Sequence, residues 1–168
     1  MNEANDKGVR AMDEQVWLER MREAESSLYH VTCAILLSET DRRDAMQETA
    51  LRAWEHRRSL RNEAFFKTWV TRIAVNVCRD LIRRNKRTVL VDELPEMPAQ
   101  EPPSELYMTI EGLPERLRLP LVLYYLEGFS VEETARALGM PAGTVKFRLY
   151  EARKALRVEL DGGEAHAL

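Results

Sequence analysis

Along most of the chain apolar residues return three and four positions apart, and no run of β-branched residues alternates with polar ones. The pattern predicts an all-α protein. A first helix is expected from Glu14 to about Leu37, with Val16, Met21, Ala24, Leu28, Val31 and Ile35 on one side. A second is expected from about Arg42 to His56, where Met46, Ala50, Ala53 and Trp54 form the apolar stripe and Asp44, Gln47, Glu48 and Arg52 face elsewhere. After the loop His56 to Glu63 a long helix begins near Ala64 and carries two adjacent apolar rows. Phe65, Trp69, Ile73, Val77 and Leu81 lie beside Phe66, Val70, Ala74, Cys78 and Ile82. So wide an apolar face requires more than one packing partner.

From Thr88 to Pro103 the periodicity dissolves into "TVLVDELPEMPAQEPP", four prolines and no positive charge, which reads as an extended, flexible acidic linker. Ser104 is a candidate N-cap for a helix ending near Gly112. Pro114 suits a helix start and Gly128 a stop, with a bend expected at Pro120, which lacks a backbone donor. Ser130 and Glu133 form a capping box. The short helix it opens, Ser130 to Ala137, is followed by the turn Leu138-Gly139 and a longer helix entered at Pro141, the mechanics of a helix-turn-helix. On that last helix Val145, Leu149, Ala152 and Leu156 share the inward face. Lys146, Phe147, Tyr150 and Arg153 fall away from it with Arg148 and Lys154 at its borders, so that basic and aromatic groups could reach a major groove.

Charge sharpens this picture more than composition does. The net charge of −3 conceals a segregation: residues 41–87 carry 13 Lys/Arg against 6 Asp/Glu, residues 88–111 none against 6, and residues 112–160 carry 8 against 6. Two basic blocks flanking an acidic connector point to a polyanionic partner. The two cysteines, Cys33 and Cys78, sit in apolar helical patterns and are expected to be small core residues, so neither a disulfide framework nor a four-ligand zinc site is expected. No apolar run approaches a membrane span and the first residues form no apolar signal core, so the chain is expected to be cytoplasmic, with no membrane insertion of its own. The organisation expected is a disordered start at 1–13, one helical domain at 14–87, a linker at 88–103, a second domain at 104–160 and a tail at 161–168.

Two stretches carry a family resemblance. "DRRDAMQETALRAWEHRRSLRNEAFFKTWVTRIAVNVCRDLIRRNKR" resembles the second region, and "LPERLRLPLVLYYLEGFSVEETARALGMPAGTVKFRLYEARKALR" the fourth region, of the extracytoplasmic-function sigma factors of bacterial RNA polymerase. The likeness spans residues 15 to 160, with both motifs in order. It implies an alternative sigma factor that docks on the clamp helices of the polymerase's largest subunit through Asp44, Gln47, Glu48, Leu51 and Arg52. Ala50 departs from the bulky aromatic the family often has there.

The resemblance further implies that the first domain melts and holds the downstream promoter element. The loop cations Arg57, Arg58 and Arg61 with Asn62 would engage an unstacked base, and Lys67, Arg72, Asn76, Arg79, Arg83 and Arg84 on the long helix would hold phosphates. Trp69, in an apolar row, is expected in the core rather than under a base. Upstream-element contact falls to Gly143, Thr144, Lys146, Phe147, Arg148, Tyr150 and Arg153. Phe147 stands where a small polar residue is usual, and Glu151 can repel phosphate or accept from a cytosine amine. The implied partners are core polymerase, including the flap of its second-largest subunit, promoter DNA and an anti-sigma factor. The acidic linker would thread toward the template-strand channel.

Three other readings compete. A stand-alone helix-turn-helix regulator leaves the basic block at 41–87 without a role. A metal-dependent nuclease built on His30, Cys33, His56 or Cys78 lacks carboxylates at ligand spacing and a phosphate loop, so no metal, cofactor or catalytic residue is expected. An adaptor that had lost its affinity for DNA does not need the basic face of the last helix.

Overall fold

The computed structural model describes residues 12–88 and 110–164. All of its regular structure is helical, with no strand among the described residues. Helix α1 spans Glu14–Ile35, α2 Glu39–Glu55, α3 Phe66–Thr88, α4 Glu115–Leu121, α5 Val131–Leu138 and α6 Ala142–Glu164. Short 3-10 turns at Arg57–Ser59 and Glu63–Phe65 lead into α3. The expected linker, the first part of the helix from Ser104 and the first eleven residues lie outside the described residues, whereas 110–112 are helical. The expected tail is overtaken by α6, which continues to Glu164.

Helix α1 buries Ala24, Leu28, Val31 and Ile35 as its pattern predicts, and ends two residues earlier than expected. Helix α2 starts three residues earlier, because Ser38 caps it, its hydroxyl accepting from the Asp41 amide. Its buried line is Ala45, Thr49 and Ala53, one position round from the predicted stripe, with Met46 and Trp54 only partly buried. The small residues let α2 approach α1 and α3 closely, and the rings of Trp17 and Trp54 meet in a T-shaped arrangement with centroids 5.1 Å apart.

Helix α3 accounts for the wide apolar face seen in the sequence. Phe66, Val70, Ala74, Val75, Val77 and Cys78 are all buried, because α3 packs against α1 and α2 on one side and α5 on the other. Phe65, by contrast, is exposed. Cys78 is fully enclosed, and burial pushes its thiol up to about 12. Cys33 is only half-buried, against the expectation for it.

In the C-terminal half the break at Pro120 takes a specific form. Helix α4 widens into a single π-helical turn over Val122–Leu126, and the Glu127 amide reaches five residues back to the Val122 carbonyl at 3.0 Å. The turn exposes Tyr124, Tyr125 and Leu126 while Leu119, Leu121 and Leu123 enter the core. The capping box is present: the Ser130 hydroxyl accepts from the Glu133 amide at 3.1 Å, and the Glu133 carboxylate accepts from the Ser130 amide at 2.8 Å. Gly139, at φ 65°, ends α5 in the left-handed conformation, with the Met140 amide bonded to the Ala135 carbonyl and the Gly139 amide to that of Arg136. Val145, Leu149 and Ala152 of α6 are buried against α4 and α5, as predicted, whereas Leu156, the fourth residue of that face, is only partly buried.

The two halves meet in one hydrophobic core. Residues of α1 and α3 cluster with Ile110, Leu113, Leu119, Val122, Leu123, Phe129 and Ala137. Arg118 seals this seam from the side, its guanidinium donating to the Ala34 carbonyl at 2.8 Å. In the sequence the one sign of this joint core was the double apolar row of α3, which required a second neighbour without saying which.

Candidate docking and nucleic-acid faces

Three polar faces remain on the surface of this core. The first lies on α2. Asp44, Gln47, Glu48 and Leu51 fall three or four positions apart, or side by side, so they form one line along the helix. Asp44, Gln47 and Leu51 are exposed or nearly so, and Leu51, 53% exposed, is an apolar side chain with no core to serve. Arg52 borders this line and is committed to the fold: its Nε meets Glu48 at 2.7 Å and its Nη1 meets Asp80 of α3 at 3.0 Å. The Arg52 guanidinium holds the Asp80 carboxyl below the usual carboxylate range. Arg52 therefore braces α2 on α3 and orients Glu48 for any partner.

The second face is the loop before α3 and the outer side of that helix. Arg58, Arg61 and Asn62 are exposed, and the Asn62 side chain accepts from the Ala64 amide at 2.9 Å, fixing the turn into α3. Arg57 lies with its guanidinium 3.7 Å from the Trp54 ring centroid and donates to the Trp54 carbonyl at 2.7 Å, which pins the loop to the end of α2. Arg72, Asn76, Arg83 and Arg84 are exposed on α3, with Arg83 paired to Asp80. Arg79 is half-buried and faces Glu115 at 4.0 Å. Lys67 points to a different quarter, toward Glu127. Trp69 is partly buried and packs on Phe66 at 5.8 Å, as expected of a core residue.

The third face is the outer side of α6. Lys146, Phe147, Tyr150 and Arg153 are exposed, at 64% for Phe147 and 56% for Tyr150, while Thr144 and Arg148 lie at its edges. Gly143 sits on the first turn. The Arg153 guanidinium donates to the Tyr125 hydroxyl at 3.0 Å. Sequence reasoning missed this partner, because only the π-turn after Pro120 swings Tyr125 outward. It also missed the contacts that close the seam, His30, Arg118, Glu127, Phe129 and Arg136. Their one advance signal was the double apolar row of α3, which required a second neighbour. Among the described residues no cluster of three or more His, Cys, Asp or Glu could hold a metal, and no helix is long and apolar enough to cross a membrane.

Comparison with known proteins gives these faces a context. Residues 21–88 match the family model for Sigma-70 region 2, and residues 104–156 that for Sigma-70, region 4. The chain is 33% identical over 134 residues to the ECF RNA polymerase sigma-E factor of Salmonella typhimurium, covering 67% of this chain and 70% of that protein. It is 31% identical over 158 residues to the ECF RNA polymerase sigma factor SigE of Mycolicibacterium smegmatis, covering 84% of this chain and 60% of the relative. Among solved structures, the sigma factor RpoE in complex with the anti-sigma factor NepR from Bartonella quintana shares the fold, with a TM-score of 0.72 at 23% identity over 86% of this chain and 96% of that one. CnrH in complex with the cytosolic domain of CnrY superposes with a TM-score of 0.68 at 25% identity, over 92% and 93% of the two chains. With both regions matched in order on an all-α fold, the chain belongs to the ECF RNA polymerase sigma factors of the sigma-70 family.

Proposed function

We propose that this chain is an alternative sigma factor that recruits core RNA polymerase to the promoters of one regulon and starts transcription there. The observation that carries the reading is the presence, in one chain, of both sigma regions; the exposed line on α2 and the exposed basic sides of α3 and α6 support separate roles toward polymerase and DNA. Residues 14–87 dock on the clamp helices through Asp44, Gln47, Glu48 and Leu51, with Arg52 bracing them, and hold the melted downstream element. Residues 104–160 read the upstream element with the outer face of α6 and meet the flap of the second-largest subunit. The protein acts in the cytoplasm and has no catalytic residue of its own, since phosphodiester formation belongs to the polymerase.

An anti-sigma factor is the expected regulator, in keeping with the complexes in which two similar folds were solved. Run-off transcription with core polymerase on fragments of the source genome tests the reading. Discrete new transcripts starting at shared upstream and downstream promoter elements are expected. Silence, with core active on its housekeeping factor, would refute it, and tight duplex binding by the isolated chain would then favour a stand-alone regulator.

A further inference from the structure

A π-helical turn is a departure from the α-helix that recurs at functional sites, and the one over Val122–Leu126 carries two exposed tyrosines. Fitting an extra residue into the turn rotates its side chains by as much as about 100° from their α-helical places. Tyr125, 48% exposed, is thereby laid beside the outer face of α6. The Tyr124 ring meets it in a T-shaped arrangement, centroids 4.9 Å apart, and props it there. What Tyr125 holds is Arg153, whose Nη1 donates to the tyrosine hydroxyl at 3.0 Å.

This partner is neutral, and that sets Arg153 apart. Arg20, Arg43 and Arg83, exposed as well, are paired with the carboxylates of Glu23, Glu39 and Asp80. Arg153 is tethered with its charge unopposed. A guanidinium carries five N–H donors and this bond uses one of them, while the hydroxyl gives up a lone pair and keeps its own O–H to donate. The pair therefore offers donors and a positive charge together, which suits an acceptor-only anion such as a phosphate. Lys146, Tyr150 and Arg153 fall four and three positions apart, so the tethered charge ends a line along the exposed side of α6.

We propose that Tyr125 is a positioning residue for promoter recognition: it holds the Arg153 guanidinium against one backbone phosphate of the upstream element and donates a hydrogen bond from its hydroxyl to the same phosphate. The proposal rests on the reading that α6 meets the upstream element. An untethered arginine loses much rotamer freedom when it grips a phosphate, and one already held loses less. Phosphate contacts also fix how a helix lies in the groove. The tether thus helps decide which bases Lys146 and Phe147 meet.

The test uses holoenzyme made from the full chain and core polymerase, on a promoter found by run-off transcription. Phosphates of the upstream element are replaced one at a time by uncharged methylphosphonates, and binding is measured for each fragment. Arg153→Gln should weaken binding to the unmodified promoter roughly tenfold and make one phosphate insensitive to replacement. Tyr125→Phe, which keeps the ring, should weaken binding about fivefold, blunt the response at that same phosphate and leave the melting temperature within about 2 °C. The double variant should fall short of the product of the two single effects. The proposal is overturned if Tyr125→Phe keeps the wild-type pattern of sensitive phosphates, or if the two effects multiply. It is equally overturned if Tyr125→Phe lowers the melting temperature enough to account for the lost binding, since the hydroxyl then braces the fold. A loss of core affinity with the phosphate pattern intact would assign the pair to polymerase instead and overturn it too. Failure of the sigma reading would show earlier and separately, as wild-type holoenzyme that starts no transcript.

Discussion

Replacing Gly143 by alanine separates the needs of the fold from those of a partner. Gly143 is the second residue of α6, and a Cβ built there meets nothing within 4 Å. No packing within the chain therefore calls for glycine. A glycine in a helix interior costs about 1 kcal/mol relative to alanine. On the first turn, where fewer helical bonds depend on the residue, roughly half of that is a fair figure. Gly143→Ala should thus stabilise the protein by about 0.5 kcal/mol, a rise of about 1–2 °C in melting temperature for a chain of this size. If glycine is there so that a DNA backbone can approach α6 closely, the same methyl group should weaken upstream-element binding about tenfold, or about 1.4 kcal/mol. The salt dependence should stay as it was, since no charge is removed. Thermal melts and fluorescence anisotropy on the promoter duplex read the two effects independently. A variant that melts higher and binds DNA as tightly as wild type would refute the close-approach reasoning, and one that melts lower would refute the account of the helix start.

Asp44→Lys and Leu51→Asp should each lower affinity for core polymerase at least about tenfold without changing the melting temperature, as measured by competition with a labelled sigma factor. Glu48→Lys should lower stability as well, because it breaks the pair with Arg52 that braces α2 on α3. Lys146→Ala with Arg148→Ala should flatten the salt dependence of upstream-duplex binding, by about 0.9 in slope for each phosphate no longer neutralised, and leave polymerase affinity intact. The Cys78 thiol should resist alkylation in the native protein. Because its folded value of about 12 exceeds the ordinary 9.0, the unfolded chain loses its proton first and stability should decline as pH rises from 9 toward 12. Urea melts on either side of pH 9, compared with a Cys78→Ala variant, read that slope.

The sequence by itself determined the helices, the inward faces of most of them and the two basic blocks, because apolar spacing, capping residues and turn glycines act over a few neighbouring positions. The capping box at Ser130, the turn at Gly139 and the split of α6 into a buried and an exposed side were all legible in this way. It also determined the family, since two motifs in order are a property of the chain. Other features depended on which elements come together across the fold. The buried line of α2 moved one position because Ala45, Thr49 and Ala53 allow the closest approach to its neighbours. Pro120 announced a disturbance, but only the packing of Leu119, Leu121 and Leu123 into the core turned it into a π-turn that aims Tyr125 at Arg153. The seating of Glu127 between His30 and Lys67 was beyond reach of any local pattern. It joins residues 97 and 60 positions apart in the chain, and a contact of that kind is decided by the burial of a shared core.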